Sequence, residues 1–499
     1  MPTTVSHGDM YTPQSELPTE RLFMPADKAG IIPRPTGYKC SNPFSSQFIP
    51  GDPLNEQQSV RTSSVTLRPS ACPGLLRIVP ALDGGICRIK LAGGVITSAQ
   101  ALAVAQAAQT YAQGVIEATN RANLQIRGIG ADHDGLIETL MAAGLGPANP
   151  ASDDVRNLML SPTAGLDPHM LFDARPLAAQ ILRALENHTR FQELSPKFAL
   201  SLDAGEALVM LEHPHDVWLS ALKTGDEVLL AFGLAGCPAS DRPLAAVPPA
   251  AGEALVVALL ELFLDLARPE HTRMRHLLAE LSTDALLRQL STRLSCPVRV
   301  DDAVTGWQRP AVQGNRHIGV YPQAQSGLVA VGAVVPLGRL TAPMLAAVAQ
   351  LATDHGDGTL RLTPWQSLLL PNVPAERAAA VMAALQAAGL ICSAEQPLAQ
   401  IVACTGSAGC AKGLADTKAD ALQLASGLAV SQAVHLSGCT RSCAAAHVAP
   451  VTLLAVAPGR YDLYFRDATH SGFGVLRARD LTIEAVGAQL NADSRSSIA

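Results

Sequence analysis

Two cysteine pairs, Cys404-Thr-Gly-Ser-Ala-Gly-Cys410 and Cys439-Thr-Arg-Ser-Cys443, mark the stretch around which the rest of this chain is organised. Five residues separate the cysteines of the first pair, three separate those of the second, and 28 lie between the pairs. The spacer of the first pair consists of small residues, so the backbone can fold closely around a bound group and direct amide hydrogens toward it. Four thiolates are what an iron–sulfur cluster requires.

Zinc is the main alternative for four cysteines. Zinc ligand pairs usually keep about two to four residues between them, and the first pair has five. A disulfide is the other alternative, and no signal peptide supports one. The step of four residues from Cys439 to Cys443 predicts a helical turn with both sulfurs on one face. We therefore expect Cys404, Cys410, Cys439 and Cys443 to hold an iron–sulfur cluster.

The composition narrows the classes of function. The chain has 499 residues, of which 48% are hydrophobic and 16% charged, and its net charge is −6. This length predicts several domains with sizeable apolar cores. A nucleic-acid partner attracted by overall positive charge is excluded. Any bound anion must be held by a local basic pocket.

The predicted compartment is the cytoplasm. The first ten residues lack a basic region followed by an apolar run, and no uncharged apolar segment of 18 residues occurs later. Ten cysteines in so long a chain, four of them clustered, are typical of a reducing compartment with a metal site. No membrane partner is expected.

The order of predicted elements occurs twice, about 240 residues apart. The first copy has a hairpin turned at Asp83-Gly-Gly85, a helix over 97–113 capped by Thr97 or Ser98, strand material over 115–128 and a helix over 134–143. The second has a hairpin over 317–335, a helix over 341–355, strand material over 358–370 and a helix over 375–388. Two such units are typical of ferredoxin-like halves.

The repeat predicts six segments. They are a flexible N-terminal extension that includes Cys40 (1–70), a first ferredoxin-like half (71–147), an α/β domain without a cluster (148–250), a pair of connecting helices (251–309), a second ferredoxin-like half (310–395) and a cluster-binding α/β domain (396–485). The expected fold class is therefore α/β, or α+β, built from two fused pseudo-repeats paired about a pseudo-twofold axis.

The two copies differ in chemistry. At an offset of 244 residues, Ser161-Pro-Thr-Ala-Gly165 falls on the spacer of the first cysteine pair, and Leu160 and Leu166 fall on Cys404 and Cys410. Only the second copy has the thiols for a cluster. The first copy instead has Arg156 and Lys197. This difference indicates that the second copy transfers electrons and that the first copy binds an anion.

This layout resembles the sirohaem-dependent sulfite and nitrite reductases, and within them it is most similar to the precorrin-3B synthases of aerobic cobalamin biosynthesis. The resemblance covers about residues 70–480 and is carried by Ala71-Cys-Pro-Gly-Leu-Leu-Arg77, Asp83-Gly-Gly-Ile-Cys-Arg-Ile-Lys-Leu-Ala-Gly-Gly94, Thr119-Asn-Arg-Ala-Asn-Leu-Gln-Ile-Arg-Gly128, Arg156-Asn-Leu-Met-Leu-Ser-Pro-Thr-Ala-Gly165 and His435-Leu-Ser-Gly-Cys-Thr-Arg-Ser-Cys443.

The resemblance implies a reaction and a set of cofactors. Dioxygen places a hydroxyl group on meso carbon 20 of precorrin-3A, and the ring A acetate closes a γ-lactone. The implied cofactor is a [4Fe–4S] cluster. An external electron-donor reductase would supply this cluster with electrons, and NADH is their ultimate source. A mononuclear non-haem iron is also associated with the family, and its ligands have no signature in this sequence. His213-Pro-His215 lacks a carboxylate partner and is interpreted as structural.

The chain departs from the reductases at one position. Their pocket over the sirohaem iron carries two arginines and two lysines, which bind and protonate a small oxyanion. The matching positions here are Lys90, Arg156, Lys197 and Ala199. The loss of one cation disfavours multi-electron reduction, which needs repeated proton delivery. Cys443 holds the place of the cysteine that bridges to sirohaem. Precorrin-3A has the size of sirohaem, and we expect it to occupy the same cleft.

A polycarboxylate macrocycle is best bound by arginines, because a guanidinium group meets a carboxylate with two hydrogen bonds. The expected catalytic residues are Arg156, Lys197 and Lys90. The expected substrate-binding residues are Arg77, Arg88, Arg121, Gln125, Arg127, Arg361 and Gln366, of which the pairs Arg121 with Gln125 and Arg361 with Gln366 are interpreted as equivalent between the copies. Ordinary ion pairing is the alternative for the arginines, and the glutamines are as well explained by ties between strands.

Two other functions stay open at this stage. One is an assimilatory nitrite or sulfite reductase that holds sirohaem. The other is a non-catalytic iron–sulfur protein for electron transfer or cluster scaffolding. A bound haem-type pigment separates the first from a synthase.

Overall fold

The computed structural model describes residues 72–312 and 314–496, so the predicted N-terminal extension with Cys40 lies outside the described residues. These ranges contain twenty strands and eleven helices. The strands form four five-stranded sheets, two in ferredoxin-like halves and two in α/β domains. Among the described residues no helix is long and apolar enough to cross a bilayer.

The first ferredoxin-like half contains the predicted hairpin and the predicted helix cap. The Thr97 hydroxyl accepts a hydrogen bond from Gln100 N, and the Gln100 side chain accepts one from Thr97 N, which forms a capping box. The stretch 115–128, expected as strand, is two antiparallel strands joined by a turn. The elements are β1 (Val79–Ala81), β2 (Gly84–Ile89), β3 (Val95–Thr97), α1 (Ser98–Tyr111), β4 (Val115–Ala118), β5 (Leu124–Ile129) and α2 (His133–Ala142).

The first α/β domain has three parallel strands followed by two antiparallel ones. The segment 251–309, predicted as connecting helices with a pair of them over 253–290, contains four helices. Leu255, Leu259 and Leu290 on these helices lie in the same core as the sheet, so the prediction of a connecting pair was wrong. The elements are β6 (Leu158–Leu160), α3 (Arg175–Asn187), β7 (Leu200–Asp203), β8 (His215–Thr224), β9 (Glu227–Gly236), β10 (Ala245–Val247), α4 (Gly252–Leu266), α5 (Met274–Leu278), α6 (Thr283–Ser291) and α7 (Asp302–Thr305).

The second half repeats the first at a constant offset of 244 residues as far as the turn after the fourth strand. Positive φ angles recur at Gly93 and Leu337, and again at Ala122 and Gln366. Because this backbone conformation is rare outside glycine, the matches define which residues are equivalent. The elements are β11 (Gly319–Pro322), β12 (Leu328–Val334), β13 (Arg339–Thr341), α8 (Ala342–His355), β14 (Thr359–Leu362), β15 (Ser367–Pro374) and α9 (Ala378–Ala387).

The second α/β domain has the strand order and directions of the first, as duplication requires. Its elements are β16 (Ile401–Ala403), α10 (Thr417–Gly427), β17 (Val434–Ser437), β18 (Val451–Ala457), β19 (Arg460–Phe465), β20 (Val475–Thr482) and α11 (Ile483–Ser496).

The two halves exchange one strand each. β3 leaves its own half and pairs with β14, where Ile96 lies opposite Leu360. In return β13 pairs with β4, where Leu340 lies opposite Ile116. The two sheets and the helices α1 and α8 share one apolar core. This reciprocal exchange has the symmetry expected of a pseudo-twofold axis.

Candidate cluster and substrate site

The four candidate cysteines lie at one edge of the sheet of the second α/β domain. Cys404 directly follows β16, and Cys439 follows β17 after one glycine. These two strands are adjacent and parallel, so the segments after their carboxyl ends meet at the same edge. The sequence alone did not show that the two pairs follow neighbouring strands.

The loop of the first pair is held by close backbone contacts. Gly406 has a φ of +67°, and a Cβ atom there would lie 2.5 Å from Ala415 O. The Thr417 hydroxyl donates a hydrogen bond of 2.7 Å to Cys404 O. Only glycine can pass so near the returning chain, which explains the small residues of this spacer.

The surroundings of the thiols fit an iron–sulfur cluster. Gly438 N donates a hydrogen bond of 3.2 Å to Cys404 Sγ, and such bonds to sulfur stabilise clusters. Burial raises the pKa of the Cys443 thiol, and Cys404, Cys439 and Cys410 raise it further. The thiolate form of Cys443 therefore needs a positively charged group nearby, which the iron of a bound cluster would supply. The predicted helical turn at 439–443 was wrong, because this segment is a non-helical loop with Ser442 at a φ of +52°.

The described residues contain no recognisable site for a single metal ion. Within 72–312 and 314–496, no group of three or more His, Cys, Asp and Glu side chains is arranged to hold one metal ion. The described residues also offer no ligand set for a mononuclear iron. None of the nine cysteines in this part of the chain forms a disulfide.

The cysteines line a pocket of about 620 Å³ between the first half and the cluster loops. This volume is within the usual range of ligand sites. Of the predicted substrate-binding and catalytic residues, the pocket is lined by Arg88, Gln125, Arg127 and Gln366. Those that lie outside its lining are Arg77, Lys90, Arg121, Arg156, Lys197 and Arg361.

Arg127 holds the cluster loop rather than an external ligand. Its guanidinium group makes two hydrogen bonds of 2.9 Å to the Asp83 carboxylate and one of 3.2 Å to Gly409 O. Arg88 is engaged differently, because the side-chain oxygen of Gln125, in the amide orientation that faces it, accepts bonds of 3.0 and 2.7 Å. A neutral partner leaves the charge of Arg88 uncompensated at the pocket wall.

Lys90 binds main-chain oxygens and does not face the pocket. Its ammonium group donates to Asp153 O at 2.6 Å and to Asp154 O at 2.7 Å. Burial lowers the pKa of Lys90 to about 7. Arg77 forms an ion pair with Asp154 and donates to Cys72 O. Both side chains thus attach the first half to the start of the first α/β domain.

Arg156 has unused hydrogen-bonding capacity. Its nearest carboxylate oxygens are 3.7 Å away on Asp153 and 3.5 Å away on Glu186. The Nε and Nη2 atoms are buried and have no hydrogen-bond partner among the described residues. These two carboxylates offset the charge of Arg156 without forming hydrogen bonds to it.

The remaining two positions of the reductase pocket do not supply a cation to it. Lys197 is exposed, in the loop before β7. Ala199 is 1% exposed, and its backbone N donates to the Asp216 carboxylate, which also pairs with Arg273 at 2.9 Å. A carboxylate and an alanine therefore stand at the position that the resemblance matches to the last lysine of the reductases.

Arg121 belongs to a group of half-buried arginines. Burial lowers the pKa of Arg121 to about 10, and Arg273 and Arg88 lower it further. Asp216 is the carboxylate that offsets this repulsion, and it is already shared by Arg273. Mutual repulsion of buried cations is relieved by a ligand with several negative charges.

The predicted equivalence of Arg121 with Arg361 and of Gln125 with Gln366 was wrong. The constant offset instead makes Glu117 the counterpart of Arg361 and Ala122 the counterpart of Gln366. Ala122 and Gln366 also share a positive φ angle. Arg361 faces the loop without cysteines, where it donates to Pro162 O at 3.0 Å and Ala164 O at 2.9 Å. Gln366 lines the cluster pocket, and its Oε1 atom is buried without a partner among the described residues.

Four histidines, among them His213 and His215, gather between the two α/β domains. The rings of His213 and His447 lie 5.1 Å apart, and His215 Nδ1 contacts His213 O at 2.8 Å. Burial lowers the pKa of His435 to about 4, so this ring is neutral at pH 7. They come from different domains and have no common sequence spacing, which is why sequence reasoning did not group them.

Two family descriptions match the chain. Residues 80–143 and 321–388 match the nitrite/sulfite reductase ferredoxin-like half domain, and residues 151–298 match the nitrite and sulphite reductase 4Fe-4S domain. The chain belongs to the nitrite and sulfite reductase family. It is therefore an oxidoreductase with an iron–sulfur site. The 4Fe-4S match lies on the first α/β domain, whereas the cysteines of this family member lie in the second.

Similar proteins and a solved structure are consistent with this family. The chloroplastic ferredoxin–nitrite reductase of Zea mays is 33% identical over 73% of this chain and 68% of its own length. Precorrin-3B synthase of Sinorhizobium sp is 28% identical over 81% of this chain and 84% of its own. The solved structure of Mycobacterium tuberculosis NirA protein superposes with a TM-score of 0.67 at 22% identity, covering 82% of this chain and 80% of that one. This likeness shows the shared fold.

Proposed function

We propose that this protein is a precorrin-3B synthase, which hydroxylates precorrin-3A at meso carbon 20 and allows the ring A acetate to close a γ-lactone. The observation that carries the proposal is the incomplete cation set for a small oxyanion. Lys90 is engaged with two main-chain oxygens, Lys197 is exposed, and Ala199 is buried beside Asp216. Repeated protonation of nitrite or sulfite needs a concentrated positive field that these residues do not form.

The arginines at and behind the pocket wall support a polycarboxylate ligand. Arg156 has two buried nitrogens without hydrogen-bond partners, although Asp153 and Glu186 lie nearby, and Arg121 repels its arginine neighbours. Arg88 adds a charge at the wall of the pocket. Charge-assisted bonds from these groups would bind peripheral carboxylates of a macrocycle and fix its orientation. Either a tetrapyrrole substrate or a sirohaem fits this description.

Coverage and identity do not separate the two functions. The Sinorhizobium synthase is matched over 84% of its length, the maize reductase over 68% and the Synechococcus elongatus nitrite reductase over 76%. Identity is 28% to the synthase and 33% to the maize reductase. The choice between the two functions therefore depends on the residues of the site.

The reaction balances with two electrons from outside the protein. One oxygen atom of O₂ enters the substrate, and the other leaves as water with two protons. When bound, the [4Fe–4S] cluster supplies electrons one at a time. An external reductase, with NADH as the ultimate donor, would deliver them. The chain's own part is to bind a carboxylate through Arg88 at the pocket wall, with Arg121 and Arg156 adding positive charge from outside its lining, and to hold the cluster next to the substrate edge through Cys443.

The alternative is a sirohaem-dependent nitrite or sulfite reductase. It is favoured by the 33% identity to the maize enzyme and by Cys443, whose exposure leaves its sulfur accessible to a second group. In this case the arginines would bind the carboxylates of sirohaem, and nitrite or sulfite would be the substrate.

One experiment separates the two functions. The protein is purified without oxygen, its visible spectrum is recorded, and precorrin-3A, O₂ and a reductant are added while the product mass is followed. A brown protein without haem-type bands that adds one oxygen atom to the tetrapyrrole supports the synthase. A haem-type spectrum with turnover of nitrite or sulfite, and no change in the tetrapyrrole, rejects the synthase in favour of the reductase.

A further inference from the structure

A buried ion network lies beneath the loop of the first cysteine pair, with Glu117 at its centre. Glu117 lies on β4 and is 8% exposed. Its Oε1 atom accepts a hydrogen bond of 3.1 Å from Arg339 and lies 3.5 Å from Lys418 Nζ. Its Oε2 atom accepts a bond of 3.4 Å from the Thr405 hydroxyl, next to Cys404, and lies 3.9 Å from Arg127.

The network joins three parts of the fold. Arg339 lies on the exchanged strand β13, directly opposite Glu117 in the strand register. Lys418 belongs to α10 of the cluster domain and also donates to Leu337 O. One carboxylate therefore connects β4 of the first half, a strand of the second half, and the helix and loop that hold Cys404.

Glu117 is ionised despite its burial. Burial alone would raise the pKa of Glu117, but Lys418, Arg127 and Arg339 together hold this pKa below its ordinary value. The network contains three cations, which are Lys418, Arg127 and Arg339. It contains two carboxylates, Glu117 and Asp83, since Arg127 also binds Asp83. The network thus places a net positive charge beneath a site that holds four thiolates.

The network is present on the cluster side of the pseudo-twofold axis. At the offset of 244 residues, Glu117 corresponds to Arg361, and Arg339 corresponds to Val95, which lies opposite Arg361 in the register. On that side Arg361 donates to two main-chain oxygens of the loop without cysteines. At this pair of positions, an ion pair lies beside the loop with cysteines, and an arginine opposite a valine lies beside the loop without them.

We propose that Glu117 is a positioning residue that fixes the Cys404–Cys410 loop on the ferredoxin-like half and, with Arg339, Lys418 and Arg127, sets the reduction potential of the cluster. The inference rests on the proposed cluster site. A fixed negative charge near a cluster destabilises its reduced form, and a fixed positive charge stabilises it. The two kinds of charge in this network therefore act on the potential with opposite signs.

The test is a redox titration of anaerobically purified full-length protein, followed by the electron paramagnetic resonance signal of the reduced cluster. Glu117→Gln is expected to move the midpoint potential upward, and Lys418→Met downward. Glu376→Gln, which removes a carboxylate that is exposed in the second half, is the matched control and is expected to leave the midpoint unchanged. A shift of both test variants in the same direction, or of neither, overturns the proposal.

Further measurements keep the test decisive. Glu117→Asp retains the charge and is expected to give a midpoint near that of the unaltered protein; a shift equal to that of Glu117→Gln overturns the electrostatic role. If Glu117→Gln cannot retain iron and sulfide, Lys418→Met alone decides, by a fall in the midpoint or its absence. Lack of iron and sulfide in the unaltered protein contradicts the cluster site itself, whereas a cluster with unchanged midpoints contradicts this inference.

Discussion

Cys443 is the exposed member of the four candidate ligands, whereas the other three are half-buried. Because a cubane cluster needs all four thiolates, Cys443→Ala is expected to remove or destabilise the cluster and abolish turnover. Iron and acid-labile sulfide content and the visible spectrum check this. Cys296→Ala, a half-buried cysteine outside the pocket, is the control. Full cluster content with full activity in Cys443→Ala would contradict the ligand assignment.

Arg156 is expected to act in binding. Arg156→Ala removes a guanidinium group with two unpartnered nitrogens, and the loss of a charge-assisted contact costs about 1.5–3 kcal/mol. The Kd for the tetrapyrrole should therefore rise by roughly 10- to 150-fold. An absorption titration measures it, with the exposed Arg377→Ala as the control. Equal affinity in the two variants would count against Arg156 as a ligand-binding residue.

Glu206 gives a prediction for pH dependence. Burial and the neighbouring Asp203 raise the pKa of Glu206 to about 8, from an ordinary value of 4.5. Between these values the folded protein keeps a proton that the unfolded chain loses, so stability falls as pH rises through this window. Glu206→Gln cannot lose this proton and is expected to flatten the fall. Thermal unfolding of both proteins from pH 5 to 9 checks this, and parallel curves would contradict it.

The structure brings the four predicted cysteine ligands together but not the predicted cations. Four cysteines with short spacers predict a cluster by themselves, and all four line one pocket. Lys90, in contrast, binds the main-chain oxygens of two residues more than sixty positions away, and such acceptors have no signature in a sequence. Arg121 and Arg361 were matched by residue type, whereas the backbone conformation at Ala122 and Gln366 determines the true register.

At the scale of elements, the crossing of β3 onto the second half depends on Gly94. This residue has a φ of +73°, and a Cβ atom there would lie 2.4 Å from Leu362 O on β14. Gly94→Ala is therefore expected to lower the free energy of unfolding by about 2 kcal/mol. Calorimetric Tm values check this against Gly427→Ala, where a Cβ atom has nothing within 4 Å. Similar Tm values for the two variants would show that the crossing tolerates a side chain.

The types of the elements could be predicted where the hydrophobic period was strong, but the pairing of the strands could not. The Thr97 cap and the glycine after α2 define helix ends locally, so α1 and α2 were predicted within a few residues. The exchange of β3 and β13 could not be predicted, because either half could have kept its own short strand by the same hydrophobic pattern. The four helices after residue 251 were underestimated for a related reason, since amphipathic helices look alike whether they connect domains or cover a sheet.

For the whole molecule, the strand exchange predicts that neither copy folds alone. Fragments 1–309 and 310–499, produced separately, each lack a strand that the other supplies and are expected to aggregate. Produced together, they are expected to associate and co-purify through a tag on one fragment. A fragment that is monomeric and cooperatively folded by itself would contradict this expectation.

The same exchange has a consequence for synthesis of the chain. The edge of β4 is completed by β13, and the paired residues Glu117 and Arg339 are 222 positions apart. A ribosome that adds about 5–20 residues per second takes roughly 10–45 s to cover this separation. During that time the nascent first half presents an open strand edge, which is a template for aggregation. The yield of this oxidoreductase in a producing cell should therefore depend on how well chaperones protect the nascent chain until the second half emerges.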